Sequence, residues 1–370
     1  MKRFILFSLT IIFTFMLLNL SFGAGKKEAE KTKELSIITW EGYLPEDLIK
    51  EFEQKYGYKV KLTFVSGNGE LISKLKAAGM KGFDLAQNDI GNIPEAMEDD
   101  IYQPIDISKL ENYKNLLPPM EKRAREIATI NGKQYGVPYC WGTSGLMVNY
   151  EKAPDVDSYM DLFSDKYCGK VTYRATRNTM IAAGLALGIQ SVKDKSMWNS
   201  EEETRRVWEK VTPFLIKHKK CVKTYWTSKQ QMIDLFITGG VVVGMGWDFT
   251  AWSLADQGYP IKFVAPKEGC LAWQGGWEIP KYAANIEGAY KFIDWFWDTK
   301  RQAKIFAESK LMPIVKDASK YLSDEDRKKF ESTYTDEVIK NRMWWYPPYP
   351  KWWVTVTAEY ETKIKTALSK

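Results

Sequence analysis

Histidine is almost missing from this chain: there is one, His218, in 370 residues. It sits in Lys217-His218-Lys219-Lys220, which reads as the solvated end of a helix. A Ser-His-Asp triad, a Cys-His pair or a multi-histidine metal site would have to be built on that residue. Most hydrolase chemistry is thereby excluded. Glycosidase chemistry, which needs only two carboxylates, is the enzyme class left. Cysteine is sparse: Cys140, Cys168, Cys221 and Cys270 lie far apart and form no Cys-x-x-Cys pair, so zinc and redox motifs are absent. No Lys-Ser or Lys-Thr follows Gly239-Gly240 or Gly244-Met245-Gly246, so nucleotide phosphates have no loop to cradle them. The net charge of +6 is spread along the chain and makes no stripe for nucleic acid. Beyond the first residues, no apolar run approaches the ~20 residues of a membrane span. These absences predict a protein that is not an enzyme and has no cofactor and no metal.

What is present begins with an export signal. Lys2 and Arg3 precede an uncharged apolar run over residues 4–20, and Ser21, Gly23, Ala24 and Gly25 follow. That order predicts a cleaved signal peptide over residues 1–25 and a periplasmic location; an uncleaved anchor is the alternative. No Cys follows the run, so a thioether-linked lipid at this junction is excluded. Residues 26–34 are mostly charged and read as a disordered tether. In an oxidising compartment a disulfide becomes possible. Cys168 and Cys221 each lead into a predicted strand of the same lobe, so they are the expected pair, with free buried thiols as the alternative.

The remaining length suits two lobes. Leu35 to Trp40, Lys59 to Val65 and Phe83 to Ala86 read as strands, with helices after Pro45 and around Leu71 and Leu75. This βαβαβ pattern belongs to a parallel, helix-covered sheet. A second set of strands follows at residues 145–149, 170–173, 222–225, 241–246 and 261–265, with helices at 179–187, 201–217 and 230–237. Residues 277–280 read as a return crossing, with helices at about 286–310 and 324–341 after it. The expected fold is α/β, with two α/β lobes joined at a hinge. Lobe one takes residues 35–141 and 277–315. Lobe two takes residues 142–276 and 316–370, including the C-terminal tail.

In such sheets a ligand sits beyond the carboxyl ends of the strands. Trp40, Glu41 and Tyr43 follow the first strand, and Asp89 follows the third. Arg174 and Asn178 follow Tyr173, Trp247 and Asp248 follow Gly246, and Trp273 and Gln274 flank the return crossing. Rings with a few polar groups are what a small-molecule site requires. Trp295 and Trp297 lie in a helix with other rings and read as core. The segment from Trp344 to Trp353 reads as a tail packed across the lobes, with a carbohydrate platform as the alternative.

Trp40-Glu41-Gly42-Tyr43-Leu44-Pro45-Glu46-Asp47-Leu48 opens a series of motifs. Gly82-Phe83-Asp84-Leu85 follows, then Tyr135-Gly136-Val137-Pro138-Tyr139-Cys140-Trp141-Gly142-Thr143. Gly169-Lys170-Val171, Gly244-Met245-Gly246-Trp247 and Pro266-Lys267-Glu268-Gly269 complete it. In order and spacing the chain resembles the spermidine/putrescine-binding proteins of bacterial ABC importers. The resemblance implies a type II periplasmic binding fold, a hinge, a small solute in the interlobe cleft and an inner-membrane permease as partner. A monomer is expected.

By position, Trp40, Tyr43, Trp247 and Trp273 match that family's aromatic wall. Its amine-holding acids mostly do not carry over: Gly42, Ala175, Asn178 and Gly275 stand at or near their positions. Glu41, Asp89 and Asp248 are nearby acids that would have to replace them. A buried ammonium without its carboxylate costs about 3–5 kcal/mol, whereas a ring face returns only about 0.5–2 kcal/mol. Two ligand expectations therefore stand: a polyamine by family default, or a zwitterionic amino-acid-like or betaine-like molecule with its anionic group on Arg174. A secreted carbohydrate-binding protein or glycosidase is the alternative class.

Overall fold

Eleven strands join one mixed sheet in this computed structural model, which describes residues 33–368. They are β1 (Lys33–Trp40), β2 (Tyr58–Val65), β3 (Leu85–Asp89), β4 (Tyr102–Gln103), β5 (Val137–Asn149), β6 (Val171–Tyr173), β7 (Val222–Tyr225), β8 (Val243–Trp247), β9 (Ile261–Val264), β10 (Cys270–Pro280) and β11 (Met343–Trp345). The signal peptide and nearly all of the tether lie outside the described residues. Lys33 and Glu34, expected in the tether, instead open β1 and pair with Tyr58 and Lys59. They extend the strand by backbone pairing while staying exposed, so no apolar pattern marks them.

The sheet runs β2-β1-β3-β10-β5-β8-β6-β7. β1 is parallel to β2 and β3, and β6 is parallel to β7 and β8. Between these two parallel sets lie β5 and β10, antiparallel to each other and to their flanking strands. Every residue of β5 and of β10 is buried. Both are much longer than expected, because a strand covered on both faces shows no alternation and only its ends are recognisable.

Local chemistry accounts for the covering helices. In Glu46–Tyr56, two acids occupy the first turn, and Leu48, Ile49 and Phe52 face inward. Gly57, at φ +71°, closes it in the left-handed region, its N–H donating to the Glu53 carbonyl at 2.9 Å. Phe52 meets Phe292 and Trp295 edge-on, with centroids 4.9 and 5.1 Å apart. The helix expected over 286–310 is two, Ile286–Phe296 and Thr299–Ser309. Asp298 interrupts it by capping the second, accepting from the Arg301 N–H at 3.0 Å. Thr335 likewise splits the 324–341 segment by capping Asp336–Asn341. Trp295 and Trp297 are core, at 3% and 0% exposure.

The C-terminal tail is more ordered than expected. Lys351–Leu368 is a helix whose Trp353, Val356, Thr357, Tyr360 and Ile364 are buried. It packs on Glu201–Lys217, where the Trp208 indole donates to Thr357 at 3.1 Å. Among the described residues no helix is long and apolar enough to cross a membrane.

Cys168 and Cys221 are disulfide-bonded just ahead of the paired strands β6 and β7, while Cys140 and Cys270 are free and buried. A loop of 53 residues gives the crosslink about 4 kcal/mol by the chain-entropy argument. Thiol titration should find almost no reactive groups in the native protein, two after denaturation and four after reduction as well. Replacing both Cys168 and Cys221 by Ser should lower the denaturation free energy by up to about 4 kcal/mol. Four thiols without reductant would contradict the pairing.

Candidate functional site

The carboxyl ends of β1, β3, β6 and β8 converge on the middle of β5 and β10, where a cavity of about 300 Å3 opens. β1 ends at Trp40, and the chain turns through Gly42 at φ +77°. That left-handed turn brings Tyr43 back, its N–H donating to the Trp40 carbonyl at 3.3 Å and the two rings stacking at 6.0 Å. An acid at position 42, where the resemblance implied one, would carry the strain of this conformation.

A continuous ring system forms the cavity wall. Tyr43 meets Phe249 edge-on at 6.0 Å, Phe249 stacks on Trp247 at 5.4 Å, and Trp273 stands edge-on to Phe249 at 6.4 Å. Trp273 pairs with Gly142 across the strands, and its indole lies over that glycine. A Cβ at position 142 would come within 2.5 Å of the Trp273 ring.

Of the residues named from the sequence, Trp40, Tyr43, Asp89, Arg174, Asn178, Trp247 and Trp273 border the cavity. Glu41, Asp248 and Gln274 do not. Glu41 lies exposed in the turn after β1; burial lowers the pKa of Lys229, and the charge of Glu41 only partly opposes this. Gln274 follows Trp273 on β10, so the strand's alternation turns it to the other face. There its amide donates to the Met120 carbonyl at 2.8 Å. Asp248 follows Trp247 and is likewise turned inward. It accepts from the Thr143 N–H at 2.8 Å, the Thr143 hydroxyl at 3.2 Å, the Phe249 N–H at 2.7 Å and the Tyr334 hydroxyl. Asp248 therefore joins the crossing strand β5 to the helix Asp248–Asp256.

Asp89 closes β3 and accepts from the Gly91 N–H at 2.8 Å. Burial raises its pKa, opposed by that N–H and by the charges of Arg123 and Arg177. Arg174 is held over the Trp226 ring at 5.0 Å, and burial lowers its pKa.

Sequence reasoning missed Arg177 and the C-terminal contribution. Arg177 opens the helix Arg177–Ala186, donates to Asn92 at 3.2 Å and lies over Tyr349 at 4.4 Å. Burial opposes its charge, but Tyr349, Glu361 and Asp89 outweigh that and leave its pKa raised. Tyr346, Tyr349 and Glu361 also border the cavity. The packed alternative for the aromatic tail is the one adopted: Trp344, Tyr346, Tyr349 and Trp353 are all buried, and Trp345 and Trp352 are half-buried. Several cavity-lining polar atoms lack a partner among the described residues: the Trp273 indole N–H, the Ser144 hydroxyl and Asn68 Oδ1. Buried polar atoms without partners are costly, and a polar guest would satisfy them. Among the described residues no cluster of acids, His or Cys could hold a metal.

Residues 47–332 match the family model described as bacterial extracellular solute-binding protein. The spermidine/putrescine-binding periplasmic protein of Escherichia coli (strain K12) is 27% identical over 331 residues, covering 88% of this chain and 90% of that protein. The putrescine-binding periplasmic protein SpuD of Pseudomonas aeruginosa (strain UCBPP-PA14) is 27% identical over 365 residues, covering 93% and 95%. In fold, the chain is similar to the crystal structure of the spermidine/putrescine ABC transporter substrate-binding protein PotD from Streptococcus pneumoniae. The TM-score is 0.72 at 21% identity, covering 91% of this chain and 99% of that one. The fold is thus that of the two-lobed periplasmic binding proteins.

The packing around the cavity has two measurable consequences. Burial pushes the Asp248 carboxyl up to about 6, against the hydrogen bonds it accepts. The unfolded value is about 3.9, so between those values the native state holds a proton that the unfolded chain lacks. The contribution is fully present below about pH 4 and is lost as pH rises through about 6. Denaturant titrations from pH 7 down to pH 4 should show the wild type gaining roughly 2 kcal/mol relative to Asp248→Asn; a constant difference would refute the buried, proton-binding carboxyl. Gly142→Ala should push the Trp273 ring off β5, costing about 1–3 kcal/mol of stability and quenching or shifting indole fluorescence. An unchanged melting temperature would mean the ring has room to move.

Proposed function

The chain belongs to the bacterial extracellular solute-binding proteins, and on that premise we propose that it is the capture component of an ABC importer. It works in the periplasm as a monomer, holds a small amine in the ring-lined cavity, and delivers it to an inner-membrane permease. The relatives bear the names of spermidine and putrescine, which makes the polyamines the first solutes to test.

One observation carries this reading. A single cavity draws its wall from both parallel sets of strands and from the two strands that join them. Trp40, Tyr43 and Asp89 come from the β1–β3 side, Arg174 and Trp247 from the β6–β8 side, and Trp273 from the joining strand β10. A guest held this way ties the two sides together, and its departure frees them to move about the joining strands. We keep the lobe limits expected from the sequence: residues 35–141 and 277–315 for one lobe, and residues 142–276 and 316–370 for the other. β3 pairs with β10 over Gly275–Glu278, and β8 pairs with β5 over Ser144–Val148, which supports the handover near these limits. The irregularity between Gly275 and Gly276 falls at the same place.

Rings around the cavity supply both apolar area for a methylene chain and cation–π attraction for its ammonium, about 0.5–2 kcal/mol per face. Calorimetry with putrescine and spermidine should find one site per chain, and small-angle scattering should find a smaller radius with ligand. Trp247→Ala should weaken binding at least ~10-fold, since it removes both contributions. If no amine in the panel produces heat or compaction, the capture reading fails.

A further inference from the structure

We propose that the captured amine also carries an anionic group, which docks on Arg174 at the start of the helix Arg177–Ala186. The inference rests on the capture reading and names the second end of the solute.

The cavity is polarised. From the β1–β3 side it receives acceptors, Asp89 and Asn68 Oδ1, and no cation. Asn68 Oδ1 has no donor among the described residues. From the other side it receives two guanidinium groups, Arg174 and Arg177, and one carboxylate, Glu361, so that side stays net positive. These are not equivalent. Arg177 donates to Asn92 and lies on Tyr349. Arg174 lies on Trp226, and among the described residues no acceptor takes its N–H groups. A guanidinium has five donors in a fixed fork that matches a carboxylate or phosphate.

The one acid whose charge favours the Arg174 cation, Glu361, has other partners. Glu361 accepts from the Arg177 backbone N–H and pairs with Lys365 at 3.4 Å. Asp89 is on the far set of strands and caps Gly91. The helix after Arg174 has no acid of its own in the first turn and no side-chain cap from Thr176, and Glu361 takes only its first N–H. Thr176 and Asn178, at the positive end of this helix, line the cavity wall. A diamine would set its second ammonium against these charges. An anionic group in that place would supply the acceptor that Arg174 lacks.

Ligands that differ only at one end decide the matter. 4-Aminobutanoate and 5-aminopentanoate should bind the wild type at least ~10-fold more tightly than putrescine and cadaverine, measured by calorimetry. Arg174→Ala should weaken the amino acids roughly 10- to 100-fold, the range for a hydrogen bond to a charged group. It should leave the diamines unchanged or tighter. Arg174→Lys, which keeps the charge but not the fork, should fall between and keeps the test readable if the alanine variant melts early. The inference is overturned if the diamines bind the wild type more tightly, or if Arg174→Ala weakens both series alike; in either case amine capture itself stands. Binding of none of the four overturns the inference, and amine capture falls with it if spermidine is silent too.

Discussion

The antiparallel pairing of β5 with β10 is the constraint on which the site depends. From Leu271 against Ser144 to Trp277 against Val137, these strands bond in the middle of the sheet and are buried along their whole length. Each also carries a parallel set on its other flank, β3 with β1 and β2, or β8 with β6 and β7. Two such sets aimed at a shared centre must bring their carboxyl ends together there. The cavity is therefore a consequence of topology before it is a consequence of any side chain. The small residues serve that same pairing. Gly142 leaves room for the Trp273 ring, and Gly275 opens the strand where a side chain would fill the cavity.

Much of this was legible in the sequence for a simple reason. A strand with one wet face alternates, and a helix with one wet face repeats at three and four residues. The helix Glu201–Lys217 is the plainest case, with Ser200 as its cap and three acids in its first turn. β7 is equally plain. The crossing strands were harder, because Gly142, Gly145, Gly275, Gly276 and Pro138 look like turn punctuation in a one-dimensional reading. Instead a ring lies over Gly142, a ring and a backbone carbonyl crowd Gly145, and the Glu278 and Ile90 side chains crowd Gly276. Capping by Asp298 and Thr335 was hidden for the opposite reason: the flanking apolar rhythm continues across the break.

At the cavity, rings were easier to locate than charges. An indole at a strand end is large enough that it either lines a cleft or fills a core, and Trp40, Trp247 and Trp273 all border the cavity. A carboxylate or amide one residue further along faces the opposite way, so Asp248 and Gln274 serve the scaffold. Proximity along the chain does not carry over to proximity in space when the period is two. The tail's share was invisible for another reason. Tyr346, Tyr349 and Glu361 reach the cavity only because the C-terminal helix docks on Glu201–Lys217 more than a hundred residues away, and nothing local encodes that meeting.

Rings and charges also divide the work of recognition differently. A wall of indoles attracts any ammonium, at about 0.5–2 kcal/mol per face, and distinguishes poorly between one chain end and another. An ion pair formed out of water distinguishes sharply, because its loss leaves a bare charge that costs about 3–5 kcal/mol. The aromatic wall can thus persist while the polar residues beside it change, and the solute changes with them. Here the glycines at positions 42 and 275 stand where the relatives' pattern implied acids, and arginines stand at positions 174 and 177. Beside the rings, the cavity is bordered by Asp89, Arg174, Arg177 and Glu361. On the proposed reading, such a cavity favours a guest whose own charges are arranged in the complementary order.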